Sequence, residues 1–122
     1  MLKGKRILII EDQALLALLI EDVLMAEEAD VVGTAATLTV AFDMVSSALR
    51  DRGLDAAVVD LDLAGQSALP VIDLLRSNDV PVVIQTGYAD FRSDAPILRK
   101  PYAVDDLVAT LVEVTRAMRL AA

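Results

Sequence analysis

Residues 6–12 read Arg-Ile-Leu-Ile-Ile-Glu-Asp, an unbroken apolar run that ends in two acids. A short apolar run without alternation is typical of a strand that is buried on both faces, as in a parallel sheet. The apolar and polar residues of Ala14–Ala26 follow with the spacing of a helix. Glu11 and Asp12 are therefore expected at the turn between a buried strand and a helix.

The remainder of the chain repeats this alternation of short apolar runs and longer amphipathic stretches. We predict further strands at residues 30–33, 56–59, 82–85 and 97–98, and helices from Thr37 or Thr39 to about Leu49, from Pro70 to Arg76, and over residues 104–120. Residues 87–95 are barely long enough for a helical crossover, so a short or irregular fourth helix is expected there. The pattern predicts an α/β fold with a doubly wound, five-stranded parallel sheet.

Composition restricts the chemistry that is open to this chain. Its 122 residues, 56% hydrophobic and 25% charged, predict one globular domain over residues 1–122. The absence of cysteine and histidine excludes disulfides, thiolate nucleophiles and imidazole bases. A net charge of -8 disfavours nucleic acid and anionic membranes as partners. The sequence shows no secretion signal and no spanning segment, so we expect a cytoplasmic protein.

Polar side chains follow four of the predicted strands at the point where each strand ends. In a doubly wound sheet, ligands bind outside the carboxyl ends of the strands. The residues at these ends are Glu11, Asp12, Asp60, Asp62, Thr86 and Lys100. Converging carboxylates repel one another, and a hard cation with oxygen ligands, such as Mg²⁺, neutralises them. A carboxylate supported by a cation, a lysine and a hydroxyl can attack phosphorus, which predicts an aspartyl phosphate.

Four segments together resemble the motif set of response-regulator receiver domains: residues 9–12 (IIED), 58–62 (VVDLD), 84–88 (IQTGY) and 99–102 (RKPY). The resemblance covers essentially the whole chain and implies a single receiver domain with the flavodoxin-like strand order 2-1-3-4-5. The Thr-Gly-Tyr sequence and the stand-alone length resemble the FATGUY subgroup, although Ile84 and Gln85 replace its Phe-Ala.

The resemblance also implies a role for each strand-end residue. Asp60 would be the phosphoacceptor, and Glu11 and Asp12 would form the acid pocket. The side chains of Asp12 and Asp60 and the backbone carbonyl of Asp62 would be metal ligands. Thr86 would bind the phosphoryl group, and Lys100 would be its cationic partner, before a cis bond to Pro101.

The chain departs from the family pattern three residues before Lys100, where the switch aromatic is usually found. That position is Ile97, so Tyr88 or Tyr102 is expected to take the aromatic's role and to reorient on phosphorylation. We expect Phe91 to be a packing residue.

Three functions fit these residues. The first is a phosphoswitch, not an enzyme, that receives its phosphoryl group from a histidine kinase or phosphotransfer protein and signals to a downstream protein that the sequence does not identify. The second is a haloacid-dehalogenase-like phosphatase, because residues 58–62 also resemble that superfamily's nucleophile motif; it leaves Glu11 and Asp12 unused. The third is an interaction module that works without phosphorylation, which Ile97 and the short segment after Thr86 suggest.

Overall fold

The computed structural model describes residues 1–121, and the side chains of residues 1–116. The strands of the main sheet are β1 (Arg6–Ile10), β2 (Asp30–Ala35), β3 (Ala56–Asp60), β4 (Val82–Thr86) and β5 (Ile97–Arg99). The helices are α1 (Ala14–Ala26), α2 (Leu38–Arg50), α3 (Leu69–Ser77) and α4 (Val104–Ala121). All neighbouring strands are parallel, in the order β2-β1-β3-β4-β5. The predicted fold class and strand order are confirmed.

Strand β1 lies between two hydrophobic layers, as its unbroken apolar sequence predicts. Leu8 and Ile10 pack on the side of α2 and α3, whereas Ile7 and Ile9 pack on the side of α1 and α4. All four side chains are completely buried. Burying such a side chain contributes about 1.5–3 kcal/mol, so the apolar run of β1 holds both layers to the sheet.

Local sequence signals account for the start of two helices. The Thr37 hydroxyl accepts a hydrogen bond from the Val40 backbone N–H at 3.2 Å and caps α2, which decides between the two candidate caps. The buried face of α2 consists of Ala41, Val45 and Ala48. In α3, Pro70 occupies the first turn, where its missing N–H leaves no helical hydrogen bond unmade.

The short or irregular fourth helix predicted between β4 and β5 is not formed: the connection is irregular, and none of residues 87–96 is helical. The Arg99 guanidinium binds this segment by donating to the carbonyl oxygens of Tyr88 and Phe91 at 2.6 and 2.8 Å. Phe91 packs against the core on the same side of the sheet as Ile97. Side-chain hydrogen bonds from β5 therefore position a segment that has no helix of its own.

A small hairpin after β3 was not predicted, because no strand was expected between residue 59 and the helix that begins near Pro70. Residues Asp62–Leu63 pair antiparallel with Gln66–Ser67. The turn residues Ala64 and Gly65 both have positive φ angles, 51° and 87°, and the Asp62 side chain accepts from the Gly65 N–H at 3.0 Å. Elsewhere in the fold, no helix in residues 1–121 has the length and apolar character needed to cross a membrane.

Candidate functional site

A cleft of about 230 Å³ opens at the carboxyl ends of the central strands. Parallel pairing places Asp60 of β3 beside Gln85 of β4, and Thr86 beside Arg99 of β5. The residues that line the cleft are Asp12, Gln13, Asp60, Asp62, Thr86, Gly87, Tyr88 and Lys100. The sheet therefore gathers the polar strand ends in one place.

Three acids form a cluster at this cleft. Carboxylate oxygens of Glu11, Asp12 and Asp60 all lie within 4.8 Å of one another. Glu11 and Asp60 are almost fully buried, with relative exposures of 1% and 5%. Burying like charges so close together is unfavourable without compensation.

Backbone N–H groups orient each member of the acid cluster. The Asp60 carboxylate accepts from the N–H of Asp62 at 3.1 Å, and the Asp12 carboxylate accepts from the N–H of Ala64 at 3.0 Å. The Glu11 carboxylate accepts from the N–H of Gln13 at 3.0 Å. The hairpin after β3 therefore provides hydrogen bonds to two of the three acids.

Lys100 supplies a positive charge to the cluster. Its ammonium nitrogen lies 2.8 Å from Asp60 Oδ2 and 3.5 Å from Glu11 Oε1. Burial alone would lower the pKa of Lys100, but the hydrogen bond to Asp60 and the charges of Asp60 and Glu11 raise it above its usual value. The Lys100–Pro101 bond is cis, as predicted.

Glu11 has an altered affinity for protons. Burial raises its pKa to about 7, and the neighbouring Asp60 adds to the effect. The N–H of Gln13 and the ammonium of Lys100 lower this pKa but do not outweigh burial. The ammonium of Lys100 thus offsets only part of the negative charge of the acid cluster, and a cation bound there would offset more.

Thr86 is buried at the end of β4, with a relative exposure of 1%. Its hydroxyl oxygen accepts a hydrogen bond from the backbone N–H of Tyr88 at 3.0 Å, which leaves the hydroxyl proton free to be donated. The Tyr88 side chain is 58% exposed.

Asp62 lines the cleft, but its carboxylate does not join the acid cluster. The side chain is exposed and binds the N–H of Gly65 within the hairpin. This geometry leaves the backbone carbonyl as the group that Asp62 could offer to a metal.

Sequence reasoning did not assign a role to Gln85, although it is completely buried at the site. Its amide N–H donates to Glu11 Oε1 at 2.8 Å, and its carbonyl accepts from the hydroxyl of Tyr102. The available signal was a glutamine directly after the apolar residues Val82–Ile84 and before Thr86.

The acid cluster fits Mg²⁺ by the chemistry of its donors. Its side chains offer only oxygen ligands, and they carry more negative charge than Lys100 offsets. Within residues 1–116, this is the one group of three or more acids close enough to share a cation. Glu11, Asp12 and Asp60 are therefore the side chains that could hold the ion.

Comparison with solved structures gives the family. SdrG from Sphingomonas melonis Fr1 is 33% identical, with 91% of this chain and 96% of that chain covered and a TM-score of 0.74. The receiver (REC) domain of the response regulator PhyR from Erythrobacter litoralis is 27% identical, with coverage of 92% and 90% and a TM-score of 0.78. The chain belongs to the response-regulator receiver family. No protein-family profile and no curated protein matches the receiver.

The receiver also matches part of a larger protein. The response regulator PhyR from Brucella abortus is 25% identical to it, with a TM-score of 0.77. The match covers 97% of this receiver but 50% of that chain.

The family indicates a signalling domain rather than an enzyme. The site geometry agrees with this assignment, because Glu11 and Asp12 lie beside Asp60. The phosphatase alternative gives these two acids no role. Asp105 and Asp106, further acids that a phosphatase could use, lie in the first turn of α4, where acids interact favourably with the helix dipole.

Proposed function

We propose that this receiver is a phosphorylation-driven switch whose phosphoacceptor is Asp60. The donor is the phosphohistidine of a histidine kinase or a phosphotransfer protein. The observation that carries the proposal is the Lys100 ammonium 2.8 Å from Asp60, inside a cluster of three acids. The proposal is supported by a carboxylate and an ammonium group that lie together in the cleft.

Phosphoryl transfer requires Asp60 to act as an ionised nucleophile. One of its oxygens forms a bond to phosphorus while the phosphorus–nitrogen bond of the donor breaks, and the imidazole leaves with the electron pair and takes a proton from water. Lys100 stabilises the negative charge on the transferring group, and Thr86 donates its hydroxyl proton to a phosphoryl oxygen. The product is an acyl phosphate on Asp60.

The cofactor is Mg²⁺, held by the side chains of Glu11, Asp12 and Asp60 and the backbone carbonyl of Asp62. When bound, the ion supplies electrostatic stabilisation of the phosphoryl oxygens. The backbone N–H groups of Asp62 and Ala64 orient the carboxylates of Asp60 and Asp12, so no other side chain is needed to hold these two acids in place.

Signal output goes through contacts with a downstream protein. The phosphoryl group shifts the receiver between two conformations, and hydrolysis of the acyl phosphate resets it. We place the protein in the cytoplasm, where its donor's phosphohistidine is accessible.

One alternative rests on specific observations. Ile97 packs against the core, and residues 87–96 contain no helix, so the usual aromatic switch is missing. A receiver without that switch could bind its partner regardless of phosphorylation.

Intact-mass measurement with acetyl phosphate tests the proposal. We expect one phosphoryl adduct on the wild type when Mg²⁺ is present, and none when the ion is chelated or when Asp60→Asn is used. The matched control, Asp62→Asn, should still be labelled. Continuous release of phosphate without an adduct would support the phosphatase, and no reaction at all would support the phosphorylation-independent module.

A further inference from the structure

Gln85 is a buried amide in a strand whose other buried residues before it are apolar. A buried amide is unfavourable unless both its ends are hydrogen-bonded. Here both ends are satisfied, the N–H by Glu11 and the carbonyl by the Tyr102 hydroxyl. An apolar side chain at this position would need no hydrogen-bond partners. The two hydrogen bonds of Gln85 therefore suggest that the residue has a role at the site.

The chemistry of the two partners fixes the orientation of the amide. When Glu11 is ionised, as it is when it binds a cation, its carboxylate only accepts hydrogen bonds, so the Gln85 N–H group must face Glu11, as it does in the structure. The Gln85 carbonyl then needs a donor, and the Tyr102 hydroxyl provides it. Burial, together with the charges of Glu11 and Asp60, raises the pKa of Tyr102 to about 12. The hydroxyl therefore keeps its proton at neutral pH and remains a donor.

We propose that Gln85 is a positioning residue that holds Glu11 in the orientation that the Mg²⁺ site needs and links the state of that site to Tyr102. The inference rests on the proposed function, because it takes Glu11 to be part of the Mg²⁺ site. A displacement of Glu11 Oε1 moves the acceptor of the Gln85 amide, and the amide carries that movement to the Tyr102 hydroxyl.

Tyr102 lies where a change at the Mg²⁺ site could alter the surface of the protein. Its side chain packs against the core on the side of α1 and α4, and it lines an apolar groove of about 360 Å³ with Leu16, Leu19 and Val104. Tyr88, the other candidate for the aromatic's role, is linked to Thr86 only through its backbone N–H. The hydrogen-bonded connection from side chain to side chain runs through Gln85 to Tyr102.

The test is a Mg²⁺ titration, followed by NMR, of the whole protein labelled with ¹⁵N in the backbone and with ¹³C in its tyrosines. The chain has two tyrosines, so Tyr102→Phe assigns both signals. In the wild type, we expect the Tyr102 signal to shift with the same midpoint as the backbone amides of Asp12 and Asp62. In Gln85→Met, which keeps the side-chain length but makes neither hydrogen bond, we expect roughly tenfold weaker Mg²⁺ binding. The Tyr102 shift should be absent even at saturation.

Two further variants separate positioning from packing. Ile84→Val weakens the same strand without touching the site, and it should keep the wild-type midpoint and the Tyr102 shift. Adding Tyr102→Phe to Gln85→Met should change the midpoint no further, because the two residues act in one chain of hydrogen bonds.

The outcomes distinguish this inference from the proposed function. A wild type that binds Mg²⁺ and is phosphorylated, with a Gln85→Met variant that has the same midpoint and the same Tyr102 shift, overturns the inference alone. A wild type that binds no Mg²⁺ overturns both. A Tyr102 signal that does not respond in the wild type overturns the link to Tyr102.

Discussion

The ammonium of Lys100 lies 2.8 Å from Oδ2 of Asp60 and forms the shortest ion pair in residues 1–116. Both side chains are largely buried, with exposures of 23% and 7%, so solvent screens the pair only weakly. Lys100 also lies 3.5 Å from Glu11. The lysine therefore neutralises part of the acid cluster before any phosphoryl group arrives and is already positioned to stabilise one.

Replacing Lys100 by methionine keeps the aliphatic chain and removes the charge. Because the charge stabilises the transferring phosphoryl group, we expect phosphorylation of Lys100→Met by acetyl phosphate to be about 100-fold slower at saturating Mg²⁺. Lys3→Met, which removes an exposed lysine far along the chain, should react at the wild-type rate. Equal rates for both variants would show that Lys100 has no part in the transfer.

Asp12 and Asp62 should differ in their importance for metal binding. The Asp12 carboxylate belongs to the acid cluster, whereas the Asp62 side chain binds Gly65 within its own hairpin. We expect Asp12→Asn to weaken Mg²⁺ binding by at least about tenfold and Asp62→Asn to change it by less than about threefold. Isothermal titration calorimetry measures both, and the reverse ranking would contradict the assignment of ligands.

The raised pKa of Glu11 predicts how stability depends on pH in the absence of metal. The folded protein binds this proton more tightly than the unfolded chain, since the pKa rises from 4.5 to about 7 on folding. The resulting stability is complete below pH 4.5 and is lost as the pH rises through about 7. At about 1.4 kcal/mol per pKa unit, the loss is on the order of 3 kcal/mol.

Urea unfolding with a chelator, from pH 4 to pH 8, isolates this contribution when wild type and Glu11→Gln are compared. The variant should become more stable relative to the wild type as the pH rises, because its amide never ionises. Adding Mg²⁺ at pH 8 should stabilise the wild type by mass action. Parallel pH curves for the two proteins would show that Glu11 does not titrate in this range.

Arg99 should control the order of the segment that lacks a helix. Its guanidinium donates to the carbonyls of Tyr88 and Phe91, and its exposure limits the expected loss of stability in Arg99→Ala to about 1 kcal/mol. Hydrogen exchange of residues 87–95 should become faster. Arg76→Ala, which removes an exposed arginine from α3, should leave exchange in that segment unchanged. If both variants accelerated exchange equally, the hydrogen bonds of Arg99 would not be what orders the segment.

The sheet was predictable because each central strand carries its own signal. The apolar run of β1 and the acid after β3 indicate parallel strands that are buried on both faces, and strand ends in such a sheet meet at one edge. The hairpin after β3 was not predictable in the same way. It depends on the positive φ angle of Ala64, a conformation that alanine rarely adopts.

The role of Gln85 could not be predicted from the sequence for a different reason. Its two hydrogen bonds join residues 74 and 17 positions away along the chain, and no local pattern encodes such distant partners. Ile97 was recognised as a departure from the family, but the way Arg99 holds the neighbouring segment became visible only from the folded structure.

Chemical trapping of the phosphorylated residue tests whether Asp60 is the phosphoacceptor. After incubation with acetyl phosphate and Mg²⁺, borohydride reduces an acyl phosphate to an alcohol and converts the modified aspartate to homoserine, which peptide mass spectrometry locates. We expect homoserine at position 60 alone, dependent on Mg²⁺. Homoserine at another aspartate, or a phosphoryl adduct that resists borohydride, would contradict it.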